Sequence, residues 1–373
     1  MASFVRLSHL SGRSSNVGNV HSNASDTVPT MEIGDETVAD AKHLINSKIN
    51  SNKFCVAVDG SDNSWIALGF VLNTFCNSNG GGGALSLEVV HVPELNLAEM
   101  SFDIQPDYIK KEAMKELDQW NLSNPEIATC AISYVEAVRF KKGQSVRGTL
   151  AYHINEIARP RFLVTGLIGA GTAANHIGGF CDEPGTTMAH NIRCSHCTSI
   201  VVSPDAEKLL DVTERSKPKK YVIAVDGSGR SFQAFQDVCA LCDNDIDSIV
   251  VFHVLMSNWK DTKKAAKAAK SIENFYCQIL PLLGMKDRVS YKCVKVDCES
   301  EEHRYLTIGQ SIASFAEQEM ATFLAVGVDG AAVWHDITLQ WKAQQCPSPG
   351  RVVRHLTLLQ NAPCSLIVSC TSL

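Results

Sequence analysis

The phrase VAVDGSDNS at residues 56–64 returns as IAVDGSGRS at 223–231. A short β-type run ends each time in Asp-Gly-Ser, and a second serine follows three residues later, where a helical pattern begins. The spacing from Asp59 to Asp226 is 167 residues, and the same spacing carries Cys197 of CTSIVV to Cys364 of CSLIVS. The repetition therefore runs from the first strand of each copy to its last, and a fold must be found that this chain builds twice. Between those ends the copies keep step. LEVVHV at 87–92 answers IVVFHV at 249–254, and the intervals Gly148 to Gly166 and Gly309 to Gly327 are both 18 residues.

Within each copy, short apolar β-branched runs such as FCVAV and YVIAV have the pattern of parallel strands buried on both faces. Amphipathic stretches separate them: 64–75, 106–120, 148–158 and 186–194 in the first copy. Alternating strands and helices with five strands per copy predict an α/β fold, two tandem doubly wound parallel-sheet domains. In such sheets a ligand sits at the carboxyl ends of the strands, beside the point where the strand order reverses, and the repeated phrase lies at such an end. The expected organisation is a tail at 1–49 with a short helix at 36–49, copy 1 at 50–206, a linker at 207–218 and copy 2 at 219–373. The NSNGGGG run at 77–83 reads as a loop insertion peculiar to copy 1.

Composition excludes several classes. A net charge of −6 gives no basic field for nucleic acid or an anionic membrane, and no apolar run is long enough to span a bilayer. Fourteen cysteines without a secretory-type start predict a reducing compartment and thiols used mainly for packing. The expected location is the cytoplasm. The first 25 residues carry Arg6, Arg13, many serines and no acid, so a mitochondrial transit peptide is the alternative to a polar tail.

On VDGSDNSWIA and VDGSGRSFQA, the VVHV and VFHV second strands, and the closing CTSIVV and APCSLIV, the chain resembles the universal stress protein family in a tandem two-domain form. The resemblance implies an adenine-nucleotide fold. The Asp that ends the first strand lies beside the adenosine, and a Gly-x-x-Gly loop after the fourth strand leads to Gly-Ser or Gly-Thr at the last helix. Backbone N–H groups and a helix N-terminus there favour phosphate. The residues this assigns to ATP or a related adenine nucleotide, with or without magnesium, are Val58, Asp59, Ser61, Gly166, Gly169, Gly185, Thr186 and Thr187 in copy 1. Copy 2 contributes Asp226, Gly327 and Gly330. The loop of copy 1 is longer than the family pattern and includes Asp182 and Glu183, while copy 2 has Val352 and Val353 where Gly and a hydroxyl belong. Copy 1 is the expected binding copy and copy 2 the degenerate one.

A plainer reading of Asp59 and Asp226 stays open: Asp-Gly-Ser at a strand end is ordinary turn chemistry. His91 and His253 read as hydrogen-bonded structural histidines, and Lys263, Lys267 and Lys270 as a solvated helix face. Cys239 and Cys242 read as two thiols on one helical face, and RCSHC at 193–197, with His176, Cys181 and His190, as packing before zinc. No P-loop lysine or carboxylate pair for a metal is identifiable, so the expected function is non-catalytic nucleotide binding, or at most very slow ATP hydrolysis. The alternative is a nucleotide-free scaffold for a protein partner. Family resemblance further implies that 199–202 pairs with 366–369 inside one chain, an intramolecular pseudo-dimer that is monomeric, or else a dimer of tandems.

Overall fold

The computed structural model describes residues 53–76, 86–93, 105–124, 130–138, 145–167, 186–204, 206, 217–257, 262–298, 304–328, 351–358 and 364–370. Copy 1 comprises β1 (Lys53–Val58), α1 (Asp62–Thr74), β2 (Ser86–His91), α2 (Pro106–Ser123), β3 (Ala131–Glu136), α3 (Val146–Tyr152), β4 (Phe162–Gly166), α4 (Thr186–Cys194) and β5 (Thr198–Val202). Copy 2 comprises β6 (Lys220–Ala224), α5 (Gly229–Leu241), β7 (Ser248–Met256), α6 (Thr262–Ile279), β8 (Val289–Val296), α7 (Arg304–Gln318), β9 (Phe323–Gly327), α8 (Arg351–Leu358) and β10 (Ser365–Ser369). The doubly wound fold predicted for each copy is present. The predicted helix at 36–49 lies outside the described residues.

The two half-sheets merge into one ten-stranded sheet of order β3-β2-β1-β4-β5-β10-β9-β6-β7-β8. Among the described residues every pairing inside a copy is parallel, and the single antiparallel pairing joins β5 to β10. Ile200 stands opposite Ile367, flanked by Val201 opposite Leu366 and Ser199 opposite Val368. Ile200 and Ile367 are equivalents under the 167-residue spacing, so the seam is self-complementary about that pair. All five residues of each seam strand are buried.

One hydrophobic cluster runs beneath both copies and crosses the seam through Ile200 and Ile367. Its spine is a file of rings. Phe54 stacks on Phe162 and on Phe75, both at 5.0 Å, Phe75 reaches Phe323 at 5.9 Å, and Phe323 stacks on Tyr221 at 4.9 Å. Phe70 of α1 also meets Phe323 edge-on at 5.5 Å, so helix α1 of copy 1 is anchored on a strand of copy 2.

The equivalent of Phe70 in copy 2 is Asp237 on α5, and it too reaches across the seam. Its carboxylate, 2% exposed, accepts from Arg161 Nη2 at 3.3 Å, Thr198 Oγ1 at 2.5 Å and Gln233 Nε2 at 3.2 Å. Of these two equivalent helix positions, one therefore crosses the seam through an aromatic contact and the other through an ionic one.

Two elements differ from the sequence reading. The helix expected over 148–158 is α-helical only to Tyr152 and continues as a π-type turn over His153–Ala158, closed by Arg159 in the left-handed region at φ 45°. That turn carries buried His153, whose Nε2 meets Glu88 Oε1 at 2.6 Å. The hydrogen bond holds the Glu88 carboxyl below the usual carboxylate range. Cys242 lies past the end of α5 with extended backbone, so Cys239 and Cys242 do not share a helical face.

Candidate functional site

The strand order of each copy reverses between its first and fourth strands, which opens a crevice at their carboxyl ends. At the end of β1, Gly60 takes φ 85°, a conformation that favours glycine, and turns the chain into α1. The Asp59 Oδ1 accepts from the Ser61 N–H at 3.1 Å and from the Ser61 hydroxyl at 2.6 Å. Ser61 caps α1 by accepting from the Ser64 N–H at 3.3 Å, and the Ser64 hydroxyl donates to the Ser61 carbonyl at 2.8 Å. Copy 2 repeats the arrangement: Gly227 has φ 81°, Ser228 N–H donates to Asp226 Oδ1 at 3.0 Å, and Ser231 N–H donates to the Ser228 hydroxyl at 3.1 Å. Turn chemistry thus accounts for the repeated phrase in both copies. Asp59 is half-buried and Asp226 exposed.

The histidines lock the same corner from the second strand. His91 Nδ1 pairs with the Val58 carbonyl at 2.9 Å, and His253 Nδ1 with the Val225 carbonyl at 2.7 Å. Burial pushes the His253 imidazolium to a lower pKa than a free histidine, which keeps the ring neutral as a donor to that carbonyl. Val58 itself is buried at 3% exposure, so its contribution to the crevice is its backbone and its packing.

Gly166 ends β4 against the first turn of α1. A Cβ there would stand 2.7 Å from the Asn63 carbonyl oxygen, closer than real contacts allow. At Gly327 a Cβ would meet the Arg230 Cβ at 2.7 Å and the Ser231 nitrogen at 2.9 Å. Both glycines are required by close helix–strand packing, whatever the crevice holds. Gly166→Ala is accordingly expected to destabilise the ligand-free protein by about 1–3 kcal/mol in urea unfolding, the range for overpacking. A glycine kept only for phosphate approach would leave that stability unchanged.

The sequence-predicted residues divide as follows. Asp59, Ser61 and Gly166 flank the crevice of copy 1, and α4 begins at Thr186, with Thr187 half-buried in its first turn. Gly169, Gly185 and Gly330 lie outside the described residues. In copy 2, Asp226 and Gly327 hold the matching places, while Val353 is buried within the apolar cluster under α8. Valine there serves packing.

Sequence reasoning missed Arg230. It stands where copy 1 has Asn63, and it is only 7% exposed beside Gly327. The signal was available in the 167-residue spacing, which aligns a short amide with a guanidinium at the floor of the crevice. Among the described residues no group of three His, Cys, Asp or Glu side chains stands ready for a metal ion, and no helix is long and apolar enough to cross a membrane. Cys194 and His190 approach to 3.8 Å, and Cys197 is buried at the entry of β5. His176 and Cys181, the other residues of that cluster, lie outside the described residues. Lys263, Lys267 and Lys270 are exposed along α6, and Lys270 pairs with Glu273 at 3.0 Å.

A ten-stranded sheet built from two 3-2-1-4-5 halves, joined antiparallel through their last strands, has the universal stress protein fold in tandem form. The chain is similar in structure to a universal stress protein from Archaeoglobus fulgidus DSM 4304, with a TM-score of 0.51 at 14% identity over 86% of this chain and 96% of that one. The universal stress protein UspA from Lactobacillus plantarum aligns over 42% of this chain and 99% of its own, at 13% identity and a TM-score of 0.30. No protein-family model matches the sequence, and no curated protein matches it.

Proposed function

We propose that this chain is a universal stress protein whose first copy binds ATP or a related adenine nucleotide without turning it over at any appreciable rate. The observation that carries the reading is the crevice of copy 1, where Asp59 follows β1 and Gly166 ends the neighbouring strand β4, at the reversal of strand order. The Asp59 carboxylate is an acceptor suited to a ribose or adenine donor, and α4 begins at Thr186 with Thr187 next, at a helix N-terminus. Copy 2, with Val353 packed into its core and Arg230 at the crevice floor, is the degenerate partner. Nucleotide in copy 1 then biases loop order or association with a protein partner in a stress response.

The test is nucleotide content after purification in magnesium, with calorimetry of added ATP. Adenine nucleotide near one equivalent per chain is the expected result. Asp59→Ala weakens binding by about ten- to a hundredfold, the value of a charge-assisted hydrogen bond of about 1.5–3 kcal/mol, and Asp226→Ala leaves it unchanged. An empty protein that also fails to bind ATP sinks the proposal. One observation favours that second reading: Gly166 is explained by its packing on Asn63, so the glycine alone does not argue for phosphate. The tandem would then be a scaffold for a protein partner.

A further inference from the structure

The residues just past α1 and just before β3 bring two cysteines together, 54 residues apart in sequence. The Cys130 and Cys76 Sγ atoms lie 3.9 Å apart. Cys76 is buried just past the C-cap Phe75, and Cys130 is half-exposed just before Ala131 opens the outermost strand of the sheet. A disulfide needs its sulfurs at about 2.05 Å, and side-chain rotation alone covers a gap of this size when the two Cβ atoms are suitably placed.

We propose that Cys76 and Cys130 form a hydroperoxide-sensitive dithiol that closes to a disulfide and staples helix α1 to the edge strand β3. The two thiols have different characters. The contact with Cys76 lowers the Cys130 thiol from its usual range, and a backbone hydrogen bond at Leu87 adds to this. The Cys76 thiol is pushed up by the same contact and by burial. Cys130, half-exposed beside the buried Cys76, is the sulfur a peroxide can reach, so it attacks and Cys76 resolves.

The Cys130 thiolate attacks one oxygen of hydrogen peroxide, the O–O bond breaks, and the departing hydroxide takes a proton to leave as water. Cys130 is then a sulfenic acid. The Cys76 sulfur attacks it, the S–S bond forms, the S–O bond breaks, and the hydroxyl leaves as a second water with the Cys76 proton. Two thiols lose two electrons and one peroxide gains them. In a reducing compartment the pair rests as a dithiol, and such a bond forms only on an oxidant pulse.

The corresponding corner of copy 2 is built differently. Asp243 stands at the position of Cys76, and Arg288, just before β8, donates to the Asp247 carbonyl at 3.1 Å and the Asn244 carbonyl at 2.5 Å. Copy 2 thus ties this corner with a permanent guanidinium clamp, whereas copy 1 has a tie that depends on oxidation. The cysteine pair sits at the amino end of β3, remote from the carboxyl-end crevice, so this inference stands apart from nucleotide binding.

The test uses the full-length reduced protein, treated with stoichiometric hydrogen peroxide, then alkylated and mapped by non-reducing peptide mass spectrometry with fragmentation. The expected product links Cys76 to Cys130 and reverts with dithiothreitol. Alkylation of this pair falls by about tenfold, while that of the exposed Cys277 and Cys293 falls by less than about twofold. In Cys76→Ser, dimedone traps a sulfenic acid at Cys130; in Cys130→Ser, neither the link nor the adduct forms. Oxidation of Cys277 with no linked peptide in the wild-type protein overturns the proposal, as does a dimedone adduct appearing first on Cys76.

Discussion

Phe323→Ala is expected to lower the unfolding free energy of the whole chain by about 3–5 kcal/mol, the cost of truncating a buried aromatic residue. Phe323 is fully buried and touches three rings: Tyr221 of its own copy, and Phe70 and Phe75 of the other. Truncation removes the link at which the aromatic file passes between copies, so both halves lose support at once. Urea unfolding followed by tryptophan fluorescence and by circular dichroism should show an earlier transition, and the two probes should separate as the halves uncouple. Phe323→Leu, which keeps most of the volume, should recover most of the loss. A Phe323→Ala protein within about 0.5 kcal/mol of wild type would mean that the copies are not coupled through this ring.

Arg161→Met is expected to cost about 3–5 kcal/mol, because it strips the cation from a carboxylate that stays buried. Asp237 would retain the Thr198 hydroxyl and the Gln233 amide as donors, but its charge would face the apolar seam without the guanidinium. The informative partner is the double variant Arg161→Met with Asp237→Leu. A hydrophobic pair of similar volume is often neutral relative to a buried ion pair, so the second change should restore most of the stability lost in the first. Losses that simply add in the cycle would show that the pair is not energetically connected across the seam.

Much of the architecture was legible because both copies obey the same local rules. Runs such as FCVAV and YVIAV leave no polar face for solvent, and the identical Asp-Gly-Ser turns punctuate them at one spacing. The helix at 186–194 and the antiparallel contact of 199–202 with 366–369 match the expectation from sequence and resemblance. What escaped was set by partners distant in sequence. Nothing near His153 announces that its ring meets Glu88, or that the helix widens to a π-type turn there. Cys242 kept the spacing of a helical pair, yet the helix ends at Leu241.

The candidate site was legible to a similar depth. Asp59, Ser61 and Gly166 stood out as motif residues, but the sequence could not say that Gly166 is required by Asn63. Nor did it weigh Arg230, whose burial depends on how closely α5 approaches β9. A motif reports that a backbone comes close to something; only the fold says whether that something is a ligand or a neighbouring helix.

The seam centred on Ile200 and Ile367 has the geometry of a symmetric homodimer, but here it is written within one polypeptide. In a true homodimer each substitution is made twice, so a change of Phe70 to Asp would charge both crossings and leave neither aromatic. Covalent fusion removes that constraint while fixing the stoichiometry at one to one. Each half drifts independently, and the complementary specialisation seen in Phe70 with Phe323, and in Asp237 with Arg161, becomes heritable as a single unit.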